Sequence, residues 1–210
     1  SAAFGVDIRG YGDSDRPPEM DAENANAPAR APAAANDVEA AIRLVRERLS
    51  CPIHLVGTSW GTIIAGTLLT RSDAPEIASV TLHAPVFEPD PDLLDGIKTS
   101  PPPARTMTRE EVRSRWDDQV PTGPPAAIRG GTAENDPVFD AFWETLVSSG
   151  QGVDGGDAIA APNGTLVDLS EASAGDRPYA PEEIDVPTLV IRGSLDPTST
   201  RDDALEVYDR

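Results

Sequence analysis

One serine of this chain sits between an apolar strand and an apolar helix with no linker on either side, and few folds accept that arrangement. Pro52-Ile53-His54-Leu55-Val56-Gly57 reads as a short strand and Thr62 to Thr70 as a helix. The junction Gly57-Thr58-Ser59-Trp60-Gly61 is a G-x-S-x-G turn. A serine forced onto a strained bend at the end of a strand presents its hydroxyl outward, and glycines are expected where side chains would collide. The same bend aims the backbone N–H of the next residue, Trp60, at a developing oxyanion, and the helix N-terminus behind it favours negative charge. The pentapeptide alone is a weak signal, and a serine cap on an ordinary strand-to-helix turn is the plain alternative. The flanking strand and helix make Ser59 the candidate nucleophile.

The surrounding pattern extends the reading. Ala2 to Ile8 is apolar and runs into Arg9-Gly10-Tyr11-Gly12-Asp13-Ser14, so a buried strand and then a loop are expected. Residues 17–36 read as a surface loop. Asn36 or Asp37 is placed to cap a helix to about Leu49, with Val38, Ala41, Ile42, Val45 and Leu49 on one face. Ile77 to His83 is a further strand. Alternating strands and helices argue for a parallel sheet with helices on its faces, an α/β fold.

From about Glu88 the alternation stops. Thr108 and Glu111 match a capping box at a helix start, and a second helix follows Asp136-Pro137 with Phe139, Phe142, Trp143 and Leu146 on one side. A short strand is expected at Thr165 to Leu169. After this block, Thr188 to Arg192 returns to a buried strand, followed by Gly193-Ser194-Leu195-Asp196-Pro197 and the start of a helix from Asp202. The expected organisation is a core of residues 1–87 and 184–210 with a mainly helical cap or lid insertion at 88–183. The aromatic helix either covers an acyl pocket or packs onto the core, and packing is favoured.

Composition narrows the partners. The 36 acidic residues against 17 Lys plus Arg leave a formal charge of −19, with Lys98 the only lysine. Such a surface repels nucleic-acid phosphates and anionic lipid heads. It fits adaptation to high salt, and it fits a GC-rich coding bias equally well. No stretch approaches the roughly 18 consecutive apolar residues of a membrane span. No basic start followed by an apolar run marks a signal peptide. One cysteine, Cys51, excludes an internal disulfide. The expectation is a cytoplasmic protein.

Asp7-Ile8-Arg9-Gly10-Tyr11-Gly12-Asp13-Ser14, followed by a helix and then G-x-S-x-G, resembles the α/β-hydrolase superfamily in its epoxide-hydrolase, dehalogenase and proline-iminopeptidase branches. Val186-Pro187-Thr188-Leu189-Val190-Ile191-Arg192-Gly193-Ser194-Leu195-Asp196-Pro197 resembles the strand and acid loop that follow the cap in the same family. The resemblance implies a serine-nucleophile hydrolase of the esterase, lipase or S33-peptidase kind. Ser59 and Asp196 would be its catalytic residues and the Trp60 N–H an oxyanion donor. Asp7 and Arg9 take scaffold roles in a salt-bridged loop. A serine at the elbow disfavours dehalogenase and epoxide hydrolase, which use an aspartate there.

The family order is Ser, Asp, His, yet the only histidines, His54 and His83, precede Asp196. His54 reads as a packed strand residue. His83 ends a strand at the edge where ligands sit in parallel sheets, and it is a candidate to line the pocket. The resemblance places the catalytic histidine beyond Arg210, and the first strands with the second oxyanion donor before Ser1. If these residues were the whole molecule, weak or no turnover is expected, since Ser59 would lack a base. No metal or nucleotide motif is present, so cofactor-free cleavage of a small ester, amide or peptide is expected. An S33-type aminopeptidase, suggested by G-x-S-W-G, and a non-catalytic binding member of the fold are the rivals.

Overall fold

A computed structural model of the chain describes residues 2–94, 101–118 and 136–210. Parts of the expected insertion, 95–100 and 119–135, and with them Lys98, lie outside the described residues. Helix α1 (Ala31–Arg48), strand β1 (His54–Thr58), helix α2 (Trp60–Leu69) and strand β2 (Ser79–His83) alternate as the sequence predicts. Strand β3 (Ala104–Thr108), helices α3 (Arg109–Asp118) and α4 (Pro137–Leu146), strands β4 (Gly152–Val153) and β5 (Ala158–Pro162) and helix α5 (Gly164–Ser173) follow. Strand β6 (Thr188–Ile191) and helix α6 (Arg201–Tyr208) close the order.

The central sheet is parallel, in the order β1-β2-β6. Thr58 pairs with His83 and His83 with Ile191, so the three strands end level with one another. Side chains alternate across it. Val80 and Leu82 point into the core, where they meet Ile63 and Leu68 of the nearly all-apolar α2. Burying each of these side chains stabilises the fold by roughly 1.5–3 kcal/mol. The small residues Ala31, Ala34 and Ala35 let α1 approach α2 closely on that same side.

Four elements depart from the sequence expectation. Residues 2–8 make no strand pairing among the described residues, and Phe4 and Val6 are exposed; only Ile8 reaches the core. Helices cover one sheet face only among the described residues, leaving Val56, Leu189 and Ile191 exposed on the other, so β6 is not a buried strand. Helix α1 begins at Ala31, inside the stretch expected to be loop. Its N-cap residue Arg30 makes no side-chain cap, and the carboxylate of Asp168 accepts the Ala31 N–H at 2.8 Å instead. Residues 165–169 are helical rather than a strand, lying in α5. Gly164 brings that helix against α1's lead-in: its N–H donates to the Pro28 carbonyl at 3.1 Å, and a Cβ there would stand 2.2 Å from the Pro28 oxygen.

The stretch expected to be an insertion carries a three-stranded antiparallel sheet, β3-β5-β4, besides its helices. The capping box at α3 is reciprocal, Glu111 accepting the Thr108 N–H at 2.7 Å and Thr108 Oγ1 accepting the Glu111 N–H at 3.3 Å. The Thr108 N–H, with the Thr108 hydroxyl donating at 2.9 Å, holds the Glu111 carboxyl below its usual range. Asp136 caps α4 by accepting the Phe139 N–H at 3.0 Å. Phe139 and Trp143 pack with Ile159 into a small core of the insertion's own, while Phe142 stays partly exposed and stacks on Trp116. The aromatic face of α4 therefore packs within the insertion.

Candidate active site

Ser59 follows the last residue of β1 with φ 53° and ψ −123°, a region that non-glycine residues rarely occupy. Holding it costs of order 1–3 kcal/mol, which the surrounding structure must supply. Three bonds do so. The Ser59 N–H donates to the His83 carbonyl at 2.9 Å. The Ser59 carbonyl accepts both the N–H of Thr62 at 2.9 Å and its hydroxyl at 2.6 Å. Thr62 is fully buried, and its Oγ1 in turn accepts the Val86 N–H at 3.2 Å. The elbow is thus tied to the loop that leaves β2.

The two glycines of the motif differ. A Cβ at Gly57 would lie 2.4 Å from the Gly61 carbonyl, so only glycine lets α2 fold back so closely on β1. A Cβ at Gly61 would meet nothing within 4 Å, contrary to the expectation that both glycines avoid collisions. Ser59 itself is exposed. The Trp60 N–H, at the first position of α2, has no acceptor within its own helix.

Asp196 lies in the loop after β6. Its Oδ1 accepts the N–H groups of Thr198 and Ser199, each at 2.9 Å. Arg192 pins the loop from inside, donating to the carbonyls of Ser199 at 2.8 Å and Asp196 at 3.3 Å. The buried Ser199 hydroxyl donates to the Pro85 carbonyl at 2.7 Å. Just beyond, the buried Asp203 carboxylate accepts the N–H groups of Phe87 and Glu88, and burial pushes its pKa up. The segment His83–Glu88 is consequently the common frame for the Ser59 and Asp196 loops. These loops leave strands that are two places apart, a lateral spacing of roughly 10 Å.

His83 is exposed at the same edge, paired with Thr58 in register. His54 is not packed: it is exposed on the open sheet face, where its Nδ1 shares a 2.7 Å hydrogen bond with Ser79 Oγ across the strands. Among the described residues, neither ring hydrogen-bonds Ser59.

The loop around Arg9 is built as a scaffold. Arg9 Nε and Nη2 donate to the two oxygens of Asp37 at 2.9 and 2.6 Å, and this holds the Asp37 carboxyl below its usual range. Asp7 accepts the Asp13 N–H at 3.1 Å, and Gly12, at φ +54°, leaves room for that carboxylate. A cleft of about 810 Å³ between this loop and α1 is lined by Arg9, Pro17, Arg30 and Asp37 among others, but not by Ser59 or Asp196.

Sequence reasoning missed Thr62, Ser199 and Asp168. Thr62 had a local signal, since it lies three positions after Ser59. Asp168 had none: it lies 108 residues from Trp60, whose indole N–H it accepts at 2.9 Å. Among the described residues, no helix is long and apolar enough to cross a membrane, and no cluster of three or more His, Cys, Asp or Glu forms a metal site.

Comparison with known proteins agrees with this fold. The sequence model of the alpha/beta hydrolase family matches residues 2–209. No curated protein matches the chain. Among solved structures, a hydrolase from Pseudomonas aeruginosa PA01 is similar in fold, with TM-score 0.57 and 18% identity over 95% of this chain and 64% of that one. An esterase from Exiguobacterium antarcticum gives TM-score 0.53 and 19% identity over 98% of this chain and 68% of that one. The chain therefore spans about two thirds of the length of these structures.

Proposed function

Because this chain belongs to the alpha/beta hydrolase family, we propose that it cleaves an ester or related acyl bond through a serine acyl-enzyme formed on Ser59. The observation that carries this reading is the left-handed backbone of Ser59 between β1 and α2, which leaves the residue exposed at the carboxyl edge of the sheet. In the proposed reaction the Ser59 oxygen attacks the acyl carbon as a base takes its proton, and the Trp60 N–H stabilises the oxyanion of the tetrahedral intermediate. Collapse of that intermediate breaks the ester C–O bond and expels the alcohol, which receives the proton; water then cleaves the acyl-enzyme, releasing the acid and restoring the Ser59 hydroxyl.

Asp196 takes the role of triad acid. One of its oxygens is already occupied by two loop N–H groups, which fixes the carboxylate and leaves the other to orient an imidazole. The roughly two-strand gap between the Ser59 and Asp196 loops suits an imidazole that must bond both. His54 is committed to Ser79, and His83 takes a pocket-lining role.

The test is hydrolysis of p-nitrophenyl esters of increasing acyl length beside a prolyl-amide substrate, with added imidazole as a base. Ester cleavage lost in Ser59→Ala supports the reading. Prolyl-amide cleavage alone would favour an aminopeptidase. Cleavage unchanged in Ser59→Ala would overturn the reading.

A further inference from the structure

Asp168 is buried in α5, far in sequence from the elbow, and holds three donors at once. Its Oδ2 accepts the Trp60 indole N–H at 2.9 Å and the Ala31 N–H at 2.8 Å, and its Oδ1 accepts the Arg30 guanidinium. One turn earlier on the same helix, Thr165 Oγ1 shares a 2.8 Å hydrogen bond with Tyr11, whose ring lies 6.1 Å from that of Trp60. Residues three apart lie on one helix face, so α5 presents Thr165 and Asp168 together to the two aromatic rings beside the nucleophile.

Trp60 is the residue whose backbone N–H faces the acyl oxygen in the proposed reaction. Its side chain leaves the same Cα, and an indole anchored at its far end to a buried carboxylate restricts rotation about that Cα. A carboxylate whose position is itself fixed by Ala31 and Arg30 is a stiff anchor. An oxyanion donor works by being held in place before charge develops, so an anchor of this kind acts on the transition state more than on substrate binding.

We propose that Asp168 is a positioning residue for the oxyanion donor, and that α5 is the element through which the insertion acts on the elbow. This rests on the serine-hydrolase reading. Arg30 and Ala31 give Asp168 a purely structural use as well, so the test must separate the two.

The experiment measures the rate of Ser59 labelling by a fluorophosphonate in the presence of imidazole, together with the Trp60 indole N–H resonance by NMR. Asp168→Ala and Trp60→Phe are each expected to slow labelling about tenfold, and the double variant is expected to be no slower than either. Asp168→Asn, whose amide oxygen still accepts the indole, is expected to recover most of the rate. Arg30→Gln removes the ion pairs to Asp168 and Glu171 but leaves the Ala31 and Trp60 bonds to Asp168, and is expected to lower the melting temperature and to slow labelling by less than Asp168→Ala does. Should Asp168→Ala fail to fold, Trp60→Phe against Asp168→Asn carries the comparison. Wild-type labelling rates in both Asp168→Ala and Trp60→Phe, or losses that multiply in the double variant, would overturn the proposal while leaving the hydrolase reading intact. No labelling of the wild-type chain would overturn the hydrolase reading, and the proposal with it.

Discussion

The backbone N–H of Ser59 donates to the carbonyl of His83 at 2.9 Å, so the end of β1 is held by the last residue of its neighbour β2. That bond, with Thr62 below it, keeps a serine in a backbone region where glycine would rest more easily. Ser59→Gly is therefore expected to be about 1 kcal/mol or more stable than Ser59→Ala, because alanine keeps the strain and glycine sheds it. Urea unfolding of the two variants checks this. Equal stabilities would mean that the bend at residue 59 is not strained.

Thr62 is expected to matter twice. Thr62→Val keeps the shape but removes the hydroxyl that donates to Ser59 and accepts from Val86. It leaves a buried N–H without a partner and should cost about 1–3 kcal/mol in chemical unfolding. Thr62→Ser keeps both bonds and should cost less than half as much.

The two motif glycines should part company. Gly57→Ala forces a Cβ to within 2.4 Å of the Gly61 carbonyl, and is expected to cost at least about 1–3 kcal/mol through the backbone shift it demands. Gly61→Ala adds a methyl in open space on a helix and should stabilise the fold by about 0.5–1 kcal/mol. Thermal unfolding of the pair tests the geometry of the turn directly.

The Arg9–Asp37 pair sets a pH dependence. Arg9 holds the Asp37 carboxyl below its ordinary value of about 3.9, so the pair's contribution is complete above that value. It is lost as pH falls through the lower folded value. Arg9 is well exposed, so the contribution is about 0.5–1 kcal/mol. Asp37→Asn should be less stable than wild type by that amount at neutral pH, and the two stabilities should converge as pH falls through the lowered folded value.

Local signals made the centre of the fold legible. The apolar runs at 52–57 and 77–83 appear as β1 and β2 within two residues, and the Thr108–Glu111 box caps α3 as its spacing implies. What stayed hidden depends on distant partners. Helix α1 starts before its apparent cap because Asp168, 137 residues from Ala31, supplies the capping carboxylate. Residues 165–169 read as a possible short strand, yet they lie in α5, whose first residue Gly164 packs against the distant Pro28. The apolar runs at 2–8 and 188–192 look buried, but Phe4, Leu189 and Ile191 are exposed. The nucleophile candidate was readable from five residues, and its bonds to Thr62 are local. The ties from Thr62 to Val86 and from Trp60 to Asp168 were not readable, because those contacts are made across the tertiary structure.

The central claim is that the residue 59 hydroxyl is the reactive nucleophile. A fluorophosphonate incubated with the chain and imidazole, followed by intact mass and peptide mapping, tests it most directly. A single adduct on Ser59, faster with imidazole and absent from Ser59→Ala, is the predicted result. An adduct at another residue, or none after prolonged exposure, would contradict it.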